Sequence, residues 1–252
     1  MGGRSVVMGE KRGSPGEYID FMLRALLHRL SVALPSQCAV CHAWPAQPVC
    51  EACVARFAQP QPRCLTCALP VPGNVTQCGA CVRSAPPLDA CLCAVPYAFP
   101  WGGLVTRYKF GNAPGWAGTL ALLMRSAPWV EPALEQADLL LPMPLSPERL
   151  QARGFNQALE LARHLAPGKT VADLLLRIRH TAPQSTLKRE ERLQNVIAAF
   201  AVDPLRAAEL RGKRVVVLDD VMTSGASLFA AAQTLREAGA AHITGLVLAR
   251  TE

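Results

Sequence analysis

Val215-Val-Val-Leu-Asp219-Asp220-Val-Met-Thr223-Ser224-Gly225-Ala226-Ser227 starts as an uninterrupted apolar run and ends in small hydroxyl residues around one glycine. An unbroken run of β-branched residues predicts a strand buried on both faces, as in a parallel sheet. The Ala-rich stretch that follows predicts a helix over 226–238. Outward from this unit the same alternation recurs. Strand-like runs lie at 92–99, 138–142, 171–176, 214–219 and 243–248, and helical patterns at 116–126 and 156–165. Strands alternating with helices predict an α/β domain with a mostly parallel sheet covered by helices. Ligands on such sheets sit at the carboxyl ends of strands, which places the site at the quoted stretch.

That stretch has its own chemistry. At a helix N-terminus the backbone N–H groups point outward and the helix dipole favours an anion. Gly225 removes the Cβ from the approach. Thr223, Ser224 and Ser227 add hydroxyl donors, and the amide of Ala226 lies among them. Asp219 and Asp220 supply acceptors for vicinal sugar hydroxyls. Phosphate donors beside sugar acceptors suit a ribose 5-phosphate. A second reading makes residues 223–227 a plain helix cap. A third, a phospho-receiver domain, needs further strands downstream, and only 32 residues follow Asp220.

Four regions divide the chain around this unit. Residues 1–16 are Gly- and charge-rich, and disorder is expected. Residues 17–35 carry Ile19, Met22, Leu23, Leu26, Leu30 and Leu34 at helical spacing, an amphipathic helix. Arg24, His28 and Arg29 interrupt its apolar stretch, so no membrane span or signal segment is expected, and a cytoplasmic location follows. Residues 36–87 form a cysteine-rich segment, and residues 88–252 the α/β domain. The net charge of +7 favours anionic partners.

The cysteine segment repeats one unit four times: Cys38/Cys41, Cys50/Cys53, Cys64/Cys67 and Cys78/Cys81. Each CxxC knuckle sets two thiolates on one side of a tight turn, and two knuckles complete a closed Cys₄ zinc site of the structural kind. Two zinc ions are expected, and the metal supplies much of the segment's folding energy. Sequential and cross-braced pairings are both open, as are redox and iron–sulfur uses. Cys91 and Cys93, left over in a strand-like run, read as buried inert thiols.

The stretch 215–227 resembles the phosphoribosyl-diphosphate motif of type I phosphoribosyltransferases. From about Leu26 to Arg250 the chain resembles the ComF family, also called competence protein F-like or GntX-like, in its double zinc ribbon and in a set of motifs. These are Tyr108-Lys109-Phe110, Pro142-Met-Pro144-Leu145, Arg149-Leu-Gln-Ala-Arg153-Gly154-Phe155-Asn156-Gln157, Thr181-Ala-Pro183-Gln184 and Glu191-Arg192-Leu-Gln-Asn195-Val196. Ser224 and Ser227 stand where family loops often carry threonine; both keep the hydroxyl.

The resemblance implies a sheet of the type I phosphoribosyltransferase kind behind a small zinc-ribbon segment. It implies a phosphoribosyl diphosphate site at Asp219, Asp220, Thr223, Ser224, Gly225, Ala226 and Ser227, with Mg²⁺ alongside. It implies a diphosphate loop at Pro144, Leu145, Arg149 and Arg153, and a mobile hood carrying Lys188, Arg189 and Arg192. It also implies a role in DNA uptake or use of external DNA. Three functions compete: a phosphoribosyltransferase of unknown acceptor, a non-enzymatic handler of single-stranded DNA working with an uptake helicase or channel protein, and a phosphoribosyl diphosphate sensor without turnover.

Overall fold

A computed structural model describes residues 36–178 and 199–252. The expected disordered start, the helix over 17–35 and the hood residues Lys188, Arg189 and Arg192 lie outside the described residues. The chain divides into two compact units, Met1–Pro48 and Val49–Glu252. In the described part of the first, Ser36 and Ala46 form an antiparallel bridge, and the His42 amide donates to the Cys38 carbonyl at 2.9 Å to close a tight turn.

The second unit opens with two short helices, α1 (Glu51–Phe57) and α2 (Gly79–Arg83), each starting just after a cysteine. Strand β1 (Ala90–Pro96) follows, then helices α3 (Trp101–Phe110), α4 (Trp116–Arg125) and α5 (Val130–Gln136). Strand β2 (Leu139–Pro142) leads to α6 (Pro147–Arg153) and α7 (Gln157–Leu165). Two three-residue strands, β3 (Leu175–Arg177) and β4 (Phe200–Val202), come next. The chain then runs through β5 (Arg214–Met222), α8 (Ala226–Glu237) and β6 (His242–Arg250).

Strands β1, β6, β5 and β2 lie in that order, all parallel. Val215, Val216, Val217 and Leu218 are all buried. Side chains alternate between faces along a strand, so both faces of β5 are covered. Val215 and Val217 join the core cluster that contains Leu228, Ala231 and Leu235 of α8. Helix α7 packs on β2 and β5 and against α4. The acidic pair lies within β5, which continues to Met222, so the strand is longer than the 214–219 expected from the apolar run.

One element departs from the expectation. The run 171–176 does not extend the parallel sheet as a full strand: Thr170 alone bridges Leu140, and Leu175–Arg177 pairs antiparallel with Phe200–Val202. Within that run the exposed Asp173 carboxylate pairs with Arg206, 2.6 Å away. No helix among the described residues is long and apolar enough to cross a membrane.

Candidate phosphoribosyl site and cysteine clusters

Strands β2 and β5 are neighbours in register, with Pro142 opposite Leu218. Their following loops, 143–146 and 223–225, both leave the carboxyl end of the sheet, with β5 running on past Pro142 to Met222. Asp219, Thr223, Gly225, Ala226 and Ser227 line one small hollow of about 30 Å³.

Gly225 has φ +83° and occupies the position before α8, where no side chain caps the first turn. The Ser224 hydroxyl reaches only the Ala226 amide, at 3.4 Å. The loop is thus not an ordinary side-chain cap. A Cβ on Gly225 would meet Met222 Cε and Phe229 Cζ at 2.5 Å. Glycine is required by the sign of φ and by these two side chains.

The two carboxylates differ. Asp220 is buried, and its Oδ1 meets Lys109 Nζ at 3.0 Å, while its buried Oδ2 has no hydrogen-bond partner. Asp219 is partly exposed at the hollow. Burial pushes its carboxyl up to about 7; the charge of Asp220 adds to the rise and Lys109 opposes it. The phenol of Tyr108, next to Lys109 on α3, is pushed up by burial and by Asp220, and its hydroxyl donates to the Gln157 carbonyl at 2.9 Å.

On the β2 side, Ser146 caps α6 by accepting from the Arg149 amide, with Pro147 in the first turn. Asn156 caps α7 and also donates to the Met143 carbonyl at 3.1 Å, which fixes the loop. Burial depresses Arg149, helped by Arg153 and opposed by Asp219. Burial likewise depresses Arg177, helped by Arg149 and opposed by Asp219. Arg149, Arg177 and Asp219 thus share one electrostatic neighbourhood. Arg153 turns elsewhere: it donates to Gln157 Oε1 at 2.9 Å and lies over the Phe110 ring, beside Lys109 in a separate cleft of about 280 Å³. Pro144 and Leu145 border a third hollow with Leu150, Phe155 and Leu159. Sequence reading put Arg177 at the start of the hood segment without a role of its own, and gave Lys109 no role at the acidic pair.

The sulfurs of Cys64, Cys67, Cys78 and Cys81 lie within 4.8 Å of one another. This second set is wholly buried, with Cys67 and Cys78 sulfurs 3.6 Å apart. Tetrahedral Zn–S bonds of about 2.3 Å set sulfurs about 3.8 Å apart, so this cluster can hold a metal ion, and Cys38, Cys41, Cys50 and Cys53 supply another set of four sulfur donors. Burial pushes the Cys67 thiol up to about 11, so ionised sulfurs there call for a cation. Cys91 and Cys93 are buried, and burial raises both thiols, Cys93 to about 11, which disfavours the thiolate.

Residues 150–251 match the phosphoribosyl transferase domain family. DNA utilization protein YhgH of Salmonella typhimurium is 30% identical over 209 residues, covering 81% of this chain and 90% of that protein. Competence protein F of Haemophilus influenzae is 31% identical over 197 residues, covering 75% and 85%. The chain belongs to the ComF family. A solved glutamine phosphoribosylpyrophosphate amidotransferase from B. subtilis is 20% identical, covering 54% of this chain and 26% of that one, with a TM-score of 0.33. This chain thus carries cysteine clusters that can hold metal and a phosphoribosyltransferase-type domain.

Proposed function

We propose that this ComF protein binds phosphoribosyl diphosphate with Mg²⁺ at the 219–227 loop and acts in the cytoplasm in the uptake or use of external DNA. The observation that carries the binding claim is the hollow lined by Asp219, Thr223, Gly225, Ala226 and Ser227, with Arg149 and Arg177 both in the field of the Asp219 carboxylate. The partly exposed Asp219 accepts from the ribose hydroxyls. The Thr223 and Ser227 hydroxyls and the first amides of α8 hold the 5-phosphate. Arg149 and Arg177 face the diphosphate, where a guanidinium binds two oxygens at once. Mg²⁺ would neutralise part of the diphosphate charge.

In this reading Asp220 does not reach the sugar directly. It holds Lys109, and through it α3, against the strand end. Should turnover occur, diphosphate leaves as positive charge develops on the sugar carbon, and the protein's task is positioning and electrostatic stabilisation. Structural zinc in both cysteine clusters completes the reading. The DNA role follows the names of the relatives, DNA utilization protein and competence protein F.

Mass spectrometry of products from phosphoribosyl diphosphate and a panel of nitrogen bases tests turnover, beside calorimetry for binding alone. Binding without product at any base makes the protein a sensor. Single-stranded DNA binding, measured across salt, is expected to be phosphate-driven and to weaken steeply as salt rises. A strong preference for one sequence at physiological salt would contradict that.

A further inference from the structure

Arg250, the last residue of β6, is 7% exposed. Its Nε donates to the Cys67 carbonyl at 3.2 Å. Its Nη1 donates to the carbonyls of Met222 at 3.2 Å, Thr251 at 2.7 Å and Thr223. Every partner of this guanidinium among the described residues is a carbonyl or hydroxyl oxygen. A buried cation held only by dipoles is costly unless a negative charge lies near it.

Two of these carbonyls, from Met222 and Thr223, belong to the end of β5 and the loop that begins the hollow. The third belongs to Cys67, one of the four sulfur donors of the second cluster. A second tie runs beside the first. The Cys91 amide donates to the carbonyl of Leu65, which lies between Cys64 and Cys67, at 2.7 Å, and the Cys91 thiol reaches Met222 Sδ at 3.7 Å. Four thiolates around a divalent ion form a dianionic centre. That centre would place negative charge beside the Cys67 carbonyl and fix the Cys67 backbone to which Arg250 is bound.

We propose that Arg250 is a positioning residue that couples the Cys64/Cys67/Cys78/Cys81 metal site to the 223–227 loop, so that metal held there sets the geometry of the phosphate site. The consequence for phosphoribosyl diphosphate rests on the function proposed above; the coupling itself does not. Loss of the metal frees the Cys67 carbonyl, and Arg250 then no longer pins Met222 and Thr223. Loss of the guanidinium has the same effect with the metal in place.

The test uses the full-length, metal-loaded protein and reads amide exchange at Phe229 and Thr251, which donate to the loop carbonyls of Gly225 and Met222. Arg250→Met is expected to speed exchange at both amides at least tenfold, with Arg250→Lys intermediate and the β5 core amides unchanged. Metal removal by a chelator should speed the same amides in the wild type and add little in Arg250→Met. Unchanged exchange in loaded Arg250→Met, or equal chelator effects in both proteins, overturns the coupling. If the metal-free wild type unfolds, the two loaded variants still decide. Calorimetry with phosphoribosyl diphosphate and Mg²⁺ is run in parallel. A wild type that does not bind that ligand counts against the proposed function and leaves the exchange result to decide the coupling.

Discussion

Lys109 Nζ stands 3.0 Å from Asp220 Oδ1, with both side chains largely buried. The pair joins α3 to the end of β5, and the second Asp220 oxygen has no hydrogen-bond partner. Removing one member of a buried pair leaves the other charge uncompensated, at about 3 kcal/mol.

Lys109→Met is therefore expected to lower stability by about 3 kcal/mol in urea unfolding. Adding Asp220→Asn should recover part of the loss, because the orphaned charge is gone. A double variant that loses the sum of the two single losses would show that the residues do not interact.

The raised Asp219 carboxyl gives a pH dependence with a definite sign. The folded-state value, about 7, lies above the ordinary carboxylate range. Between about pH 4 and 7 the folded protein holds a proton that the unfolded chain has lost, so stability falls as pH rises through that window and levels above it. Sugar hydroxyls need the ionised acceptor, so affinity for phosphoribosyl diphosphate should rise from pH 6 to 8. Asp219→Asn should remove this step, apart from the ligand's own titration. Identical pH profiles for variant and wild type would refute the assignment.

Gly225→Ala places a Cβ against Met222 and Phe229 at a left-handed φ. The backbone strain alone costs roughly 1–2 kcal/mol, and the contacts add to it. Gly225→Val should be worse. Thermal unfolding reads this directly, and a stable Gly225→Val protein would mean that the loop adopts another conformation. Because the strain is internal, weakened ligand binding in these variants says little about phosphate contact.

Metal analysis of protein purified without chelator should give close to two zinc equivalents per chain. Cys64→Ser should remove one of them and leave the β5 core folded, seen as retained far-ultraviolet circular dichroism. One equivalent or none in the wild type would rule out the two-site assignment.

The parallel sheet was legible because Val215 to Leu218 form an unbroken buried run, and the eight knuckle cysteines declared their pairs by spacing. Sequence did not show α3. Gly102 and Gly103 weaken the helical signal there, and the aromatic residues read as one cluster. The structure divides them, with Trp101 and Tyr108 in the core and Phe99 and Phe110 exposed. The roles of Lys109 and Arg177 depend on contacts between distant parts of the chain, which no local pattern encodes. Arg153 was read with Arg149, although one helical turn apart they reach different neighbours: Gln157 and Phe110 for Arg153, the Asp219 neighbourhood for Arg149. For Gly225 the sequence pointed to close approach of a phosphate; the structure adds a left-handed φ and the Met222 and Phe229 side chains, which no local pattern encodes.

The most direct test of the central claim is calorimetry of phosphoribosyl diphosphate with Mg²⁺ against wild type and Asp219→Asn at pH 8. Burial makes the ionised Asp219 unfavourable to stability at pH 8, so the substitution should not lower the thermal midpoint. Hydrogen bonds to a charged group contribute roughly 1.5–3 kcal/mol each, so the variant should bind at least tenfold more weakly than a wild type that binds measurably. A wild type that does not bind, or a folded Asp219→Asn that binds as tightly, would contradict the account.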